Sequence, residues 1–233
     1  MNPPQNPNAA LLLTAVGKLA PLLDQIVFVG GCAAGLLITD PGAAPIRPTV
    51  DVDAIADIAS HAELAVLEER LRHLGFQPSH AEGAPICRWI HQDLVLDLMP
   101  IDPSILGFSN RWYRPALESA QTARISDFEI RLITAPYCLA TKLEAFRGRG
   151  RHDYRMSHDL EDIVTVIDGR PEIVSEVWQA DLLLRQYLSD EFSALLADRD
   201  FREALPGHLL PDAVSQQRIR IVVDRIQQIA LKR

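Results

Sequence analysis

The sequence predicts an α/β (α+β) protein: a mixed β-sheet with helices over residues 10–135, followed by an all-helical C-terminal domain over 136–233. Two observations carry this. Short apolar or alternating runs bounded by turn residues, the mark of strands, occur at 26–29, 49–58, 86–91, 94–100 and 128–132, with helix-period segments between them. From Ala135 onward the apolar spacing is helical throughout, so the change of period sets the domain boundary there.

Each element follows from local chemistry. Residues 1–9, rich in Pro and Asn, read as a flexible tail without the basic and apolar regions of a signal peptide. Residues 10–23 form an amphipathic helix ended near Pro21. The run Ile26-Val27-Phe28-Val29 is a buried strand that stops at Gly30-Gly31, and 32–39 has helical composition. A strand, a glycine turn and a helix in this order let backbone N–H groups approach an anion, although the same glycines would serve a plain turn. Residues 63–74 are a helix with Leu64, Leu67 and Leu71 on one face and Gly75 as its stop.

Residues 49–58 carry Asp51 and Asp53. Strand side chains alternate faces, so the two carboxylates project together, with Val50, Val52 and Ala54 turned to the core. Adjacent carboxylates repel unless a cation joins them, and hard oxygen ligands suit Mg²⁺. An Asp-x-Asp pair alone also fits the solvent face of an edge strand. Residues 86–91 and 94–100 form two strands joined at Gln92-Asp93. In the second, Asp97 is a charge inside an apolar strand, and a buried carboxylate is costly unless paired or bound to metal. It is therefore the third candidate ligand.

Residues 101–120 read as loop-rich, with Phe108, Arg111, Trp112, Tyr113 and Arg114 suited to packing under a loop or to stacking on a base. Pro136 opens a helix that carries Lys142 and Glu144 and runs into Gly148-Arg149-Gly150. Ser157 caps the next helix, whose first turn holds His158, Asp159, Glu161 and Asp162. Acids there complement the helix dipole, and an active-site role competes with that reading. Helices follow at 171–188, 190–205 and 211–232.

Composition narrows the classes of function. With 48% hydrophobic and 23% charged residues the chain is of globular type, and no apolar run approaches the ~20 residues of a membrane span. Cys32, Cys87 and Cys138 have neither metal spacing nor an even count, which predicts reduced thiols and a cytoplasmic location. A net charge of −8 argues against non-specific nucleic-acid binding by the whole surface. Local basic clusters remain at Lys142, Arg147, Arg149, Arg151 and Arg155, and at Arg218, Arg220, Arg225, Lys232 and Arg233.

Phe28-Val29-Gly30-Gly31 followed by Arg47-x-Thr49-x-Asp51-x-Asp53 resembles the opening motif of the polymerase-β-like nucleotidyltransferases. Ala140-Thr141-Lys142-Leu143-Glu144-Ala145-Phe146, with Gly148-Arg149-Gly150, Asp153 and Ser157-His158-Asp159-Leu160-Glu161-Asp162, resembles the AbiEii/AbiGii-type toxin branch of that superfamily. The similarity spans about residues 25–170. Where the superfamily usually has Gly-Ser this chain has Gly30-Gly31, so a phosphate-contacting hydroxyl is absent.

The resemblance implies a minimal nucleotidyltransferase domain with Asp51, Asp53 and Asp97 as Mg²⁺ ligands, Asp97 also serving as general base. It implies that Gly30, Gly31, Thr49, Lys142, Arg149 and Asp159 bind the NTP, Lys142 as a catalytic point charge that Asp159 or Asp162 orients. The reaction would move NMP from an NTP to an acceptor hydroxyl, with the tRNA 3′ end as first candidate. The protein would be the toxin of a toxin–antitoxin or phage-defence pair with a cognate antitoxin and no membrane partner. Two other readings stand beside it: the same transfer to a small molecule or protein side chain, and a non-catalytic nucleotide- or partner-binding module.

Overall fold

The computed structural model describes residues 6–149 and 153–231, with the side chain of Arg149 also outside the described set. Residues 1–5 of the expected tail, and Arg151, Lys232 and Arg233 of the basic clusters, lie outside the described residues. The chain divides into two compact units. One comprises Pro7–Ala33 and Pro48–Thr134, and the other includes Ala34–Arg47 and Ala135–Arg233.

The α/β unit opens with helix α1 (Ala9–Lys18), strand β1 (Ile26–Val29) and the short helix α2 (Gly30–Ala34), which reaches the edge of the unit. Strand β2 (Asp51–Ala56), helix α3 (His61–His73) and strands β3 (Gln77–Pro78), β4 (Arg88–His91) and β5 (Leu94–Pro100) follow. Helices α4 (Pro103–Leu106) and α5 (Tyr113–Glu118) lead to strands β6 (Gln121–Ile125) and β7 (Phe128–Leu132). Among the described residues seven strands form one sheet in the order β3-β4-β5-β2-β1-β7-β6. The sheet is mixed: β2 runs parallel to β5 and β1 to β7, while the other neighbours are antiparallel.

Local chemistry explains these elements. All four residues of β1 are buried, as expected for a central strand whose two faces are both covered. The Ser60 side chain accepts from the Glu63 N–H at 3.2 Å to start α3, and Gly75 (φ +88°) follows its end in a conformation unfavourable for other residues. The β4–β5 hairpin turns at Gln92, which takes a positive φ of 55°. Phe28, Phe76 and Ile55 are among the largest fully buried side chains, and Val52 and Ala54 are buried with them.

Some boundaries differ from the sequence reading. Val50 is 78% exposed because β2 begins at Asp51, so it does not share the core face of Val52 and Ala54. The 101–120 segment holds α4 and α5, each too short to show a helical period. Strands β3 and β6 were not expected: β3 has two residues, and β6 is a polar edge strand with little apolar contrast.

The helical unit comprises α6 (Ala135–Arg149), α7 (His158–Gly169), α8 (Ile173–Gln179), α9 (Leu182–Ala197), α10 (Arg199–Ala204), α11 (Ala213–Gln217) and α12 (Ile219–Ala230). Helix α6 packs on α7 and α9, and α12 packs across α7, α8 and α9. Val222, Ile226 and Ile229 recur at helical spacing and are fully buried on the inner face of α12. The expected break between Leu188 and Asp190 does not occur. The chain turns at Ala180-Asp181 instead, and α9 continues through Ser189, whose hydroxyl donates to the Ala230 carbonyl at 2.9 Å. No described helix is long and apolar enough to cross a membrane.

Candidate active site

Register places the acidic side chains of the α/β unit in a row. Val29 of β1 pairs with Asp53 of β2, Asp53 with Asp97 of β5, and Asp97 with Arg88 of β4. Residues paired directly across neighbouring strands share a face of the sheet, so Asp53, Asp97 and Arg88 line up, with Asp51 one step along on the same face. The Thr49 hydroxyl donates to Asp51 Oδ1 at 2.7 Å, and the Thr49 N–H donates to Asn8 Oδ1 at 2.9 Å. Thr49 thus fixes one oxygen of the first aspartate.

The glycine turn borders this row because Gly30 follows Val29 directly. Gly30 has φ +70°, and a Cβ added there would lie 1.9 Å from Asp53 Oδ2. Backbone conformation and steric room both require glycine at this position.

The row contains its own cation. Arg88 Nε–H donates to Asp97 Oδ1 at 2.8 Å and its Nη2 to Asp97 Oδ2 at 2.7 Å, a two-pronged contact, and Nη2 also reaches Asp51 Oδ2 at 3.0 Å. The hydrogen bonds Arg88 donates to Asp97, followed by the charges of Asp97, Asp51 and Asp53, raise the Arg88 pKa and keep it charged. Arg88 was missed in the sequence. Counting outward from the predicted turn at Gln92-Asp93 puts residue 88 opposite 97, so the signal was present.

Two thiols register the negative field of the row. Burial first, then Asp53 and Asp51, pushes the Cys32 thiol up to about 12. Burial and then Asp97 push Cys87 up to about 12 as well. Both are inert neutral thiols at physiological pH.

Asp51 and Asp53 fit one Mg²⁺, which is commonly held by one or two carboxylates and completes its shell with water and substrate phosphate. The Asp51 oxygen bound by Thr49 keeps a second lone pair for a cation. Both Asp97 oxygens accept from the Arg88 fork, and the charge of that guanidinium opposes a cation placed beside them. Among the described residues, no three His, Cys, Asp or Glu side chains are grouped to hold a metal.

The helical unit gathers a second charged cluster. Lys142 Nζ lies 2.6 Å from Asp162 Oδ2 and 3.3 Å from Asp159 Oδ1, and Arg47 Nε donates to Asp162 Oδ1 at 3.1 Å. Asp162 is fully buried. Helix α7 presents Asp159 and Asp162 on one face, three residues apart, toward Lys142 of α6. Of the residues expected to serve the reaction, Asp51, Asp53, Asp97, Gly30, Gly31 and Thr49 lie in the α/β unit at this turn and row. Lys142 and Asp159 lie together in the helical unit, and the Arg149 side chain lies outside the described residues.

Much of the remaining basic charge is paired internally. Arg147 donates to Glu191 at 2.7 Å. Arg218 donates to Asp168 at 2.8 Å and to Asp40, and Arg225 donates to the Ile167 and Asp168 carbonyls at 2.6 Å.

A mixed sheet with a glycine turn after a central strand and acidic residues in a row beside it is a nucleotidyltransferase-like fold. An antigenic nucleotidyltransferase-like protein from Paracoccidioides brasiliensis superposes with a TM-score of 0.52 at 20% identity, over 86% of this chain and 92% of that one. The antibiotic-resistance factor ANT(2'')-Ia gives 0.50 at 15% identity, over 81% of this chain and 95% of that one. A Helicobacter pylori protein described as a candidate nucleotidyltransferase gives 0.50 at 15%, over 96% and 93%. At these identities the likeness is one of fold. No protein-family model matches the sequence, and no curated protein matches it.

Proposed function

We propose that the chain is a Mg²⁺-dependent nucleotidyltransferase that moves NMP from an NTP to an acceptor hydroxyl. The observation that carries this reading is the alignment of Asp51, Asp53 and Asp97 on adjacent strands beside the Gly30 turn. Asp51 and Asp53 would hold the ion, with Thr49 orienting Asp51. Bound Mg²⁺ supplies charge neutralisation on the triphosphate and on the departing pyrophosphate. Main-chain N–H groups at the Gly30-Gly31 turn would be the donors for the phosphates.

Following the resemblance to the AbiEii/AbiGii-type branch, the acceptor to test first is the tRNA 3′ end, and the biological role is that of a toxin held by a cognate antitoxin. Labelled NTPs, Mg²⁺ and total tRNA are incubated with the wild-type chain and with Asp53→Ala. Label transferred by the wild type and lost in the variant supports the reading. Absence of transfer by the wild type, or equal transfer by both, overturns it.

A second reading keeps the chemistry and changes the acceptor to a small hydroxyl compound. It is favoured by the internal pairing of Lys142, Arg147, Arg218 and Arg225, which leaves those cations engaged with protein groups. A tRNA affinity that falls steeply with salt separates the two, since phosphate contacts release counterions.

A further inference from the structure

We propose that Arg88 sets the metal count of the acidic row: with Arg88 in place the site takes one divalent cation, on Asp51 and Asp53, and Asp97 anchors the guanidinium instead of binding metal. This rests on the nucleotidyl-transfer reading and specifies how its metal site is built.

Arg88 is held from several sides. Its N–H donates to the Pro85 carbonyl at 3.0 Å and its carbonyl accepts from the Ser79 N–H at 2.9 Å, so both of its backbone polar groups are engaged. The side chain leaves β4 directly opposite Asp97 and meets both carboxylate oxygens, then extends one Nη to Asp51. A planar fork fits a carboxylate in this way, whereas a flexible surface arginine does not hold such a position.

Geometry decides the stoichiometry. Both oxygens of Asp97 are taken by the Arg88 fork, which leaves Asp51 and Asp53 as the pair that takes an ion. Asp97 is buried, so its carboxylate requires a partner, and Arg88 supplies one. A metal bound to Asp97 would have to displace the fork or sit beside it against like charge. Asp51 touches Arg88 through one oxygen only and Thr49 through the other, so it is the more open of the two carboxylates Arg88 reaches.

The test counts Mn²⁺ on the protein without nucleotide, by the loss of the free-ion paramagnetic resonance signal. Wild type is expected to bind one ion. Arg88→Gln is expected to bind a second, and Arg88→Gln with Asp97→Asn to return to one, each variant being checked for native circular dichroism. A wild-type crystal soaked in Mn²⁺ provides a readout independent of any variant: one anomalous peak at Asp51 and Asp53 with Arg88 still on Asp97. Two ions on the wild type, or a peak on Asp97 with Arg88 displaced, overturns the role of Arg88 and leaves the nucleotidyl-transfer reading standing. A folded Arg88→Gln that still binds one ion does the same. No ion on wild type or variant removes the metal site itself.

Discussion

Arg88 and Asp97 meet side by side across paired positions of β4 and β5, Nε to Oδ1 at 2.8 Å and Nη2 to Oδ2 at 2.7 Å. The pair sits among carboxylates, so its energetics differ from those of an isolated surface ion pair. Removing Arg88 leaves Asp97 buried without its main partner, and removing Asp97 leaves the guanidinium with Asp51. Arg88→Gln and Asp97→Asn are each expected to cost roughly 1–3 kcal/mol, and the double variant less than their sum by on the order of 1 kcal/mol. Urea denaturation of all four proteins measures this coupling. Strict additivity would show that the contact contributes nothing to stability.

Gly30 and Gly17 form a matched contrast. Gly30 combines φ +70° with an Asp53 oxygen where a Cβ would be, while nothing lies within 4 Å of a Cβ on Gly17 in α1. Gly30→Ala is expected to cost about 1–3 kcal/mol through backbone strain. By displacing Asp53 it should also weaken Mn²⁺ binding by about 10–100-fold, the range for disturbing a ligand's support. Gly17→Ala is expected to stabilise by about 0.5–1 kcal/mol and leave metal binding unchanged. Thermal denaturation and Mn²⁺ titration of the two variants, run in parallel, check both halves.

Most of this site was legible in the sequence through one rule. Alternation puts Asp51 and Asp53 on one face, and the same rule sets Asp97 with Val95 and Met99, a charge inside an apolar strand. What alternation cannot supply is which strands neighbour each other. The parallel pairs β1–β7 and β2–β5 join segments far apart in the chain with no tight turn to announce them. Arg88 went unread because an arginine at the start of a strand looks like a solvent-facing residue until its cross-strand partner is identified. The helical unit shows the converse failure. Asp190 looked like a helix start, yet burial of Leu188 and Phe192 carries α9 straight through it.

Asp162 lies between two cations in the helical unit, with Lys142 at 2.6 Å and Arg47 at 3.1 Å and no exposed surface of its own. Removing the shared anion leaves two like charges facing each other, whereas removing one cation leaves the carboxylate still paired with the other. Asp162→Ala is therefore expected to cost on the order of 3–5 kcal/mol, and Lys142→Met less, about 1–3 kcal/mol. Guanidinium denaturation at matched salt ranks the variants. The opposite order would show that the lysine, not the aspartate, holds the cluster together.

His208 gives the helical unit a pH dependence whose sign can be worked out. Its Nε2–H donates to the Tyr154 carbonyl at 2.7 Å, and burial lowers its pKa from 6.5, opposed by that hydrogen bond and by the charges of Glu161 and Asp153. The folded chain therefore keeps this ring neutral at a pH where the unfolded chain has begun to protonate it. The unfolded state binds more protons, so stability falls as the pH drops through 6.5 toward the lowered folded value. The melting temperature is expected to decline between about pH 7.5 and 5.5, the window in which an ordinary histidine titrates. His208→Gln keeps a donor for the Tyr154 carbonyl and removes the titration, so its decline over the same interval should be shallower. Equal slopes for the two proteins would place the pH dependence on other groups.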